Sequence, residues 1–590
     1  YYLVKKFEKY CQGYYDIKEK RHIGLDIKTY ESNKDPILQF LHARNVLSCG
    51  WIEIKDTLDY DLDDIEQSNN ADIAVVVDYK QVRPYQNNEC EEILPFVIGA
   101  MDIECISDDN KFPEPRKKSD RIVSIATTFS RVKEEECYRK VVLLIGKCPP
   151  LEGIDVFCCK NESELILKWC NLIIKENPDV LTNWNGFGFD DKYIYFRSKL
   201  YELGTKIFDK NRIQSDNDGY DYDFIPNLKM SRLIDENTPF VIKKMSSAQM
   251  GDNIMKYFDM RGRVNFDLMK FIRREHNLVS YKLDYVAQLF FREQLREIYN
   301  LDNKEHLEKI KEQIKENKLI DFNLSSFPKS SSLLTIKTKE FFKDQYIIIV
   351  NNDGVTDYEI ENNRKFHILD IIDNNHMIID FKLDSEILKY KGKIYCCNVK
   401  DDVPPKEIFE KYRSGIPKEI GELMRYNVQD CNLCNKIIAK LNIMANTIGM
   451  ANVCNIPLNW VINRGQSQRV FSVVSKHCKD KGYKIETYKK TKTEEEIDDA
   501  SKITYEGAIV FHPEPDIYDC IYTLDYASLY PTSMICRNIS HETFVEDPSY
   551  MKKYQDKYIF FPITYEQLDK EIMLEKKKAQ EGLKKKDKGY

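Results

Sequence analysis

The sequence predicts a multidomain protein that combines α/β and α+β architecture. Its 590 residues exceed what a single hydrophobic core usually organises, so several domains are expected. Between residues 96 and 182, apolar runs of strand length surround a segment whose apolar residues keep helical spacing. The net charge of −7 neither indicates nor excludes nucleic-acid binding, because the electrostatic footprint of such proteins is local.

The α/β part is predicted from the order of its elements. Four apolar runs have the length of strands: 96–106, 121–129, 141–145 and 179–182. A helix is predicted over 162–176, where Asn161 and Glu164 are spaced like a capping box. Three strands, a helix and a further strand indicate a ribonuclease-H-like layout.

Acidic residues accompany these elements. Asp102 and Glu104 stand two residues apart on the first strand and therefore share one of its faces. Two acids on one buried face repel each other unless a cation neutralises them. Because acid-x-acid triplets are frequent in so acidic a chain, the spacing alone is weak evidence, and its setting after an apolar run is more specific.

Two further segments carry candidate site residues. The segment Asn183–Asp190 follows the fourth strand and, in isolation, would also fit an Asn/Gly turn capped by an acid. A long helix is predicted over 418–445, on which Tyr426 and Asp430 are spaced by one turn and share a face. An ordinary aromatic residue beside a surface acid would give the same spacing.

The segment Asp525–Pro531 has the most informative sequence. The preceding apolar residues 521–524 predict a short buried strand, which would place Asp525 on a fixed element at its end. Pro531 biases Tyr530 toward an extended conformation. The segment resembles motif A of family B DNA polymerases, Asp-x-x-Ser-Leu-Tyr-Pro.

The upstream segments resemble the three motifs of the proofreading 3′→5′ exonuclease in the same family. These are Asp-x-Glu, Asn-x-x-x-Phe-Asp and Tyr-x-x-x-Asp. The resemblance implies two-metal hydrolysis, with two Mg²⁺ ions about 4 Å apart and Mn²⁺ able to substitute. It implies that Tyr426 orients the attacking water and that four acids bind the metals: Asp102, Glu104, Asp190 and Asp430. Asn185 and Phe189 are then expected to contact DNA.

The same resemblance assigns roles in nucleotide polymerisation. Asp525 would bind metal, and Ser528, Leu529 and Tyr530 would contact the incoming nucleotide, with Tyr530 excluding a 2′-hydroxyl. The resemblance implies three more positions, namely Tyr505 and Gly507 in a DNA-binding loop and Lys576 at the triphosphate. Lys576 stands where the family usually has Arg, and a solvated lysine-rich segment is the favoured alternative for this stretch. The family's second palm carboxylate, in an Asp-Thr-Asp turn, has no counterpart between residues 526 and 590.

Segments such as 262–268 and 280–287 resemble delta-type replicative polymerases, which suggests a eukaryotic or large-DNA-virus enzyme. The block 292–400 departs from that pattern. Residues 346–350 and 366–372 predict strands in it, and Leu307, Ile310 and Ile314 predict an amphipathic helix. An accessory subdomain for DNA or a processivity partner and a neutral surface insertion are both open.

The expected domains are an N-terminal β-containing domain, an exonuclease domain with the insertion, a connecting helical segment and the beginning of a palm with the first fingers helix. Their bounds are 1–95, 96–445, 446–500 and 501–590. The implied function is replicative DNA-directed DNA synthesis with proofreading. A stand-alone exonuclease or a catalytically silent structural module is the alternative if 590 is the natural end.

The implied partners are primer-template DNA, dNTPs and a sliding clamp. No membrane span is expected, because no run of about eighteen apolar residues occurs. The seventeen cysteines show no paired zinc spacing, so Cys431 and Cys434 are predicted to be reduced, buried thiols. That pattern and the resemblance favour an intracellular protein at the nucleus or a viral replication site.

Overall fold

The computed structural model folds as two units, residues 1–489 and residues 490–590. It describes these residues: 14–16, 21–23, 30–31, 34–55, 70–71, 73, 75–85, 93–134, 136–203, 228–233, 237–247, 251–309, 326–339, 341, 343, 345–354, 356–361, 364–399, 405–485, 512–540, 543–545 and 548–560. The fold is mixed α/β, with several separate sheets.

The N-terminal part contains two small antiparallel sheets of two strands each. Strand β1 (Tyr14–Asp16) pairs with β2 (Arg21–Ile23), and β3 (Ile52–Ile54) pairs with β4 (Val82–Pro84). In the sequence, helix α1 (Pro36–Arg44) follows β2, and its first turn is capped by the side chain of Asp35.

A six-stranded sheet forms the centre of the first unit. Its strands are β5 (Val97–Ile106), β6 (Arg121–Arg131), β7 (Arg139–Ile145), β8 (Asp155–Cys159), β9 (Val180–Asn183) and β12 (Val264–Asp267). Their order across the sheet is β12-β9-β5-β6-β7-β8. The β5-β6-β7 pairings are antiparallel, whereas β9 lies parallel to both β5 and β12. The four predicted strands are confirmed.

Helices cover both faces of this sheet. One face packs on α2 (Glu162–Glu176) and α3 (Asp190–Leu200), through a core that includes Trp169 and Ile194. The predicted helix 162–176 is thus confirmed. The Asn161 side chain accepts a hydrogen bond from Glu164 N. The Glu164 carboxylate, however, accepts a hydrogen bond from Lys160 N rather than from Asn161 N.

Further helices pack against the opposite face or lie beside it. They are α4 (Leu268–Glu275), α5 (Leu283–Phe290), α6 (Pro405–Ser414), α7 (Pro417–Lys440), α8 (Ile443–Cys454), α9 (Leu458–Asn463) and α10 (Gln466–Asp480). The prediction of a single helix over 418–445 is wrong at the C-terminal end of that range. The chain breaks into α7 and α8, bent by 52°, because Asn442 takes a left-handed conformation with φ 50°.

An antiparallel hairpin, β10 (Phe240–Ser247) with β11 (Gly251–Phe258), precedes β12. After α5 the chain forms a separate eight-stranded sheet with its own core, within the block expected as an insertion. Its strands are β13 (Glu293–Gln294), β14 (Glu297–Asn300), β15 (Ser332–Thr335), β16 (Tyr346–Asn352), β17 (Asp357–Glu359), β18 (Phe366–Asp373), β19 (His376–Ile379) and β20 (Lys393–Val399). The predicted strands over 346–350 and 366–372 are confirmed. Residues 304–309 are helical around Leu307, while Ile310 and Ile314 lie outside the described residues.

The second unit contains α11 (Leu529–Arg537) and α12 (Pro548–Tyr554). The strand predicted at residues 521–524 is wrong, since Leu524 is 95% exposed and the described residues of this unit contain no strand for it to pair with. The expected extended conformation of Tyr530 is wrong as well. Tyr530 and Pro531 lie in the first turn of α11, where the missing N–H of proline breaks no helical hydrogen bond.

Within the described part of the chain, no single helix is long and apolar enough to cross a membrane. The bent pair α7–α8 meets the length and composition criteria only when its two helices are taken together. Cys431 and Cys434 are buried and free of disulfides, as predicted.

Candidate active site

Asp102 and Glu104 lie on the central strand β5, on the sheet face that packs against α7. Their neighbours on that face, Ile98, Ala100 and Ile106, belong to the core shared with α7. The two acids are half-buried on a strand whose other residues are almost all buried. The strand therefore fixes two carboxylates at the boundary between core and solvent.

Helix α7 brings the third predicted segment to the same place. Asn427 is fully buried, and its Nδ2 donates a hydrogen bond of 3.0 Å to Asp102 Oδ2. Asn427 stands between Tyr426 and Asp430, both of which are half-buried on this helix. The contact sets the helix against β5 beside Asp102.

Asp190 joins the group from the start of α3. It is 3% exposed, and its Oδ1 accepts a hydrogen bond of 3.3 Å from the backbone N–H of Ile103, between the two strand acids. Burial, followed by the adjacent Asp191, raises the pKa of Asp190 to about 8. This carboxyl is therefore in an environment that disfavours its charged form.

Two buried thiols lie near acids from more than one of these segments. Burial raises the pKa of Cys431 well above its usual value, and Asp102, Asp430 and Asp190 raise it further. The pKa of Cys105 is likewise raised, first by burial and then by Glu104 and Asp190. Asp190 is near both thiols, so the acids from β5, α3 and α7 share one electrostatic neighbourhood.

The donor chemistry of this cluster fits a hard divalent cation. Mg²⁺ takes oxygen ligands and commonly uses one or two carboxylates, completing its shell with water and substrate phosphate. Among the residues that the structure describes, no three acidic, histidine or cysteine side chains converge on one point at metal-ligand distance. The residues that would hold such an ion are Asp102, Glu104, Asp190 and Asp430.

The loop before α3 is held by acids that the sequence did not single out. Asp267, at the end of β12, accepts hydrogen bonds from the backbone N–H groups of Asn185 (3.1 Å) and Phe187 (3.2 Å). It also caps α4 through Lys270 N. Asp267 belongs to the segment 262–268, which resembles delta-type replicative polymerases. That resemblance was the signal by which the sequence could have identified Asp267 as a site residue.

Asp191 anchors the same loop from the other side. Its Oδ1 accepts from Asn183 Nδ2 at 3.3 Å, and its Oδ2 accepts from Phe258 N and Asn265 Nδ2 at 3.2 Å each. Burial raises the pKa of Asp191 to about 7. The loop is therefore fixed between β11, β12 and the start of α3.

The two glycines of this loop are needed for its shape. A Cβ atom on Gly186 would lie 1.9 Å from the Asn183 side chain, and one on Gly188 would lie 2.5 Å from Asn185 Oδ1. Asn185 takes a left-handed conformation with φ 65° and is exposed. Phe189 is half-buried, with its ring 5.5 Å from that of the exposed Phe112. Both predicted DNA-contacting residues thus lie at the accessible side of the loop.

The remaining predicted residues lie in the second unit. Asp525, Ser528, Leu529 and Tyr530 are all exposed, and Ser528 begins α11 in a left-handed conformation. Tyr505, Gly507 and Lys576 lie outside the described residues. Among the residues that the structure describes, no acid cluster at metal-ligand distance occurs around Asp525, and the acids of the first unit are linked only through the contacts given above.

Comparison with known proteins gives two family matches. The model described as DNA polymerase family B, exonuclease domain, matches residues 27–286, and the model described as DNA polymerase family B matches residues 456–586. Together these regions cover about two thirds of the chain.

Individual relatives are similar over most of this chain. The DNA polymerase of Acanthamoeba polyphaga mimivirus is 33% identical over 597 residues, covering 88% of this chain and 33% of the relative. That of Pyramimonas orientalis virus is 34% identical, with 86% and 36% covered. The DNA polymerase delta catalytic subunit of Caenorhabditis elegans is 24% identical, with 88% and 36% covered. The chain spans about a third of the length of these relatives.

Proposed function

The chain belongs to family B of the DNA polymerases, and we propose that it serves DNA-directed DNA synthesis by excising mispaired nucleotides from the 3′ end of a primer. The observation that carries this proposal is the hydrogen bond from Asn427 to Asp102. It joins the strand and the helix that bear acids from two of the three predicted exonuclease motifs. The Ile103–Asp190 hydrogen bond adds the remaining motif.

We propose a ribonuclease-H-like fold for the central sheet and the helices around it. The antiparallel β5-β6-β7 order, with β9 parallel to β5, supports this assignment. We also propose the domain limits given above, 1–95, 96–445, 446–500 and 501–590, with the eight-stranded sheet as the insertion of the second domain.

In the proposed reaction a water molecule hydrolyses the terminal phosphodiester of the primer. Asp102, Glu104, Asp190 and Asp430 would hold two Mg²⁺ ions, or Mn²⁺ in their place, which when bound would activate water and stabilise the leaving 3′ oxygen. Asn427 keeps the Asp102 carboxylate in one orientation. Tyr426, one residue earlier on α7, orients the water through its hydroxyl.

The loop between β9 and α3 would receive the primer end. Asn185 and Phe189 lie at its accessible side, where an amide can bond to the strand and a ring can stack on a base. The contacts of Asp267 and Asp191 keep this loop, and therefore Asp190, in place.

For the second unit we propose the start of the polymerase palm and fingers. Asp525 would bind metal, Ser528, Leu529 and Tyr530 would line the nucleotide site, Tyr505 and Gly507 would contact DNA, and Lys576 would reach the triphosphate. Primer-template DNA and dNTPs are the proposed substrates. A sliding clamp is the proposed partner, and a nucleus or viral replication site is the proposed location.

The experiment uses a 5′-labelled primer with a 3′ mispair, annealed to its template and incubated with the chain and Mg²⁺. Shortening without dNTPs is expected, and it should disappear when Asp102 and Glu104 are both replaced by Ala. Extension past the mispair on adding dNTPs would establish polymerisation by this chain, whereas shortening in both lanes would establish excision alone. An unchanged primer in both lanes would refute the proposed excision.

A further inference from the structure

A cavity of about 110 Å³ lies behind the loop that precedes α3. Its walls come from the β10–β11 hairpin, the start of β12 and helix α9. Four charged residues line it: Lys243, Asp259, Arg263 and Arg464. Three of the four are basic, so the lining has an excess of two positive charges.

The three basic side chains keep donors available. Arg263 is 6% exposed; its Nε donates to Met230 O and its Nη1 to Pro178 O, while its Nη2 has no partner among the described residues. Lys243 donates one bond, of 2.8 Å, to Asn463 O. The guanidinium of Arg464 lies 3.4 Å from the ring centre of Trp460. This contact leaves the N–H groups of the guanidinium available to other acceptors.

Among the described residues, none of the three basic side chains forms an ion pair, and the acid in the cavity lining, Asp259, is exposed. Burial lowers the pKa of each, that of Arg263 to about 10, and Arg464 lowers the pKa of Lys243 further. Carboxylates oppose this effect: Asp259 raises the pKa of Lys243 and Arg464, Asp35 raises that of Arg464, and Asp179 raises that of Arg263. Removing a cation from water is costly when no ion pair compensates it, so an anion in the cavity would lower the cost of burying Arg263 and of half-burying Lys243 and Arg464.

The cavity is connected to the proposed excision site by two contacts. Asn265 lines the cavity and donates to Asp191, the neighbour of Asp190. Tyr257 also lines it and stacks on Phe187 in the loop, with ring centres 4.6 Å apart. A group bound in the cavity would therefore stabilise the loop that holds Asp190.

We propose that this cavity binds a phosphate group, through Lys243, Arg263 and Arg464. Its volume of about 110 Å³ leaves room for a phosphate group. The phosphate can belong to the backbone of a DNA strand or to a free nucleotide. Naming these two sources rests on the proposed function. The excess of positive charge in the cavity lining does not depend on that function.

The first test measures binding of a fluorescent single-stranded oligonucleotide by anisotropy, in EDTA and at several salt concentrations. Lys243→Gln and Arg464→Gln are each expected to weaken binding about 3- to 10-fold and to reduce the slope of log K against log salt by about 0.7. Lys244→Gln is the matched control, because Lys244 is the next residue on β10, exposed and directed to the other side. Its affinity should stay within about twofold of the parent chain.

The second test measures thermal unfolding in inorganic phosphate against sodium chloride of equal ionic strength. A phosphate-dependent rise in Tm that Lys243→Gln abolishes, with unchanged oligonucleotide binding, would assign the site to a free phosphate or nucleotide. Weaker oligonucleotide binding in the variants assigns it to the DNA backbone. If the variants match the control in both tests, the proposal is overturned. Because EDTA prevents metal-dependent cleavage, these outcomes are independent of whether the chain excises nucleotides.

Discussion

Asn427 donates a 3.0 Å hydrogen bond from α7 to Asp102 on β5, between residues 325 positions apart in the chain. The carboxylate of a proposed metal ligand is thereby oriented by a neutral amide that does not itself belong to the acid cluster. Asn427 is fully buried, so solvent cannot replace it.

Replacing Asn427 with Ala should lower the rate constant for excision of a mispaired nucleotide by about 10-fold or more, since a hydrogen bond to a charged group is lost. Single-turnover kinetics at saturating DNA measures this rate. Asn435→Ala is the matched control: Asn435 is buried on the same helix but donates to Thr128, on β6. Equal loss of excision in both variants would show that Asn427 acts only through stability.

Replacing both Asp102 and Glu104 with Ala should reduce primer shortening to background while the fold persists, because removing two repelling acids rarely destabilises a protein. Gel analysis of primer length and far-UV circular dichroism measure the two quantities. Asp108→Ala with Glu152→Ala changes the net charge equally at exposed positions and should leave excision unchanged. Retained shortening in the first variant would contradict the assignment of these acids.

Replacing Tyr530 with Ala should raise ribonucleotide incorporation about 10-fold or more, if the ring excludes the 2′-hydroxyl as proposed. The measurement is the ratio of rNTP to dNTP insertion in a preparation that extends primers. Tyr526→Ala, also exposed in the same segment, is the control. Unchanged sugar selectivity in Tyr530→Ala would refute this role.

Replacing Arg197 with Met should lower the free energy of unfolding by about 3–5 kcal/mol. Arg197 and Glu162 form a buried ion pair at 2.6 Å, with side chains 0% and 2% exposed. Urea denaturation measures the loss. In the control, Lys168→Ala, a solvent-exposed pair with Glu164 on the same α2 helix is broken, and the change should stay below about 1 kcal/mol. Similar values for both variants would show that the buried pair contributes no more than the exposed one.

Stability should fall on acidification because of His42, which joins α1 to α10 through a 3.0 Å contact with Ser472. The pKa of His42 is lowered to about 4, mainly by burial and then by Lys34, Lys476 and Lys479, with Asp480 opposing them. Since the folded-state pKa lies below the unfolded value of 6.5, this contribution is complete above pH 6.5 and is lost as the pH falls toward 4.

Between pH 7 and pH 5 the contribution of His42 to the free energy of unfolding should fall by roughly 1–2 kcal/mol. Urea midpoints at the two pH values, compared between the parent chain and His42→Gln, isolate it. An identical pH dependence in both proteins would exclude His42 as the cause.

Sequence reasoning predicted the elements that depend on local signals. The strands β5, β6, β7 and β9 have continuous apolar runs, and α2 has both helical spacing and a capping residue at Asn161. The break after α7 was missed, because Asn442 adopts its left-handed conformation where the hydrophobic pattern continues.

The sequence predicted the motif residues of the candidate site but not the contacts that orient them. The acids of β5, α3 and α7 were identified by spacing and resemblance, and the structure adds hydrogen bonds from α7 to Asp102 and from β5 to Asp190. The contacts that orient them could not be predicted, because Asn427 and Asp267 find their partners 325 and 82 residues away. In the second unit, Pro531 was expected to keep Tyr530 extended, although proline also fits the first turn of a helix.

The eight-stranded sheet begins and ends at neighbouring points. Its first strand, β13, pairs with its last, β20, and Glu293 lies opposite Cys396. A segment whose two ends are adjacent can be exchanged for a short turn without pulling apart the helices that flank it. The same geometry allows the segment to be produced as an independent domain, and it allows evolution to acquire or discard the segment in one step while the acid-bearing sheet is kept.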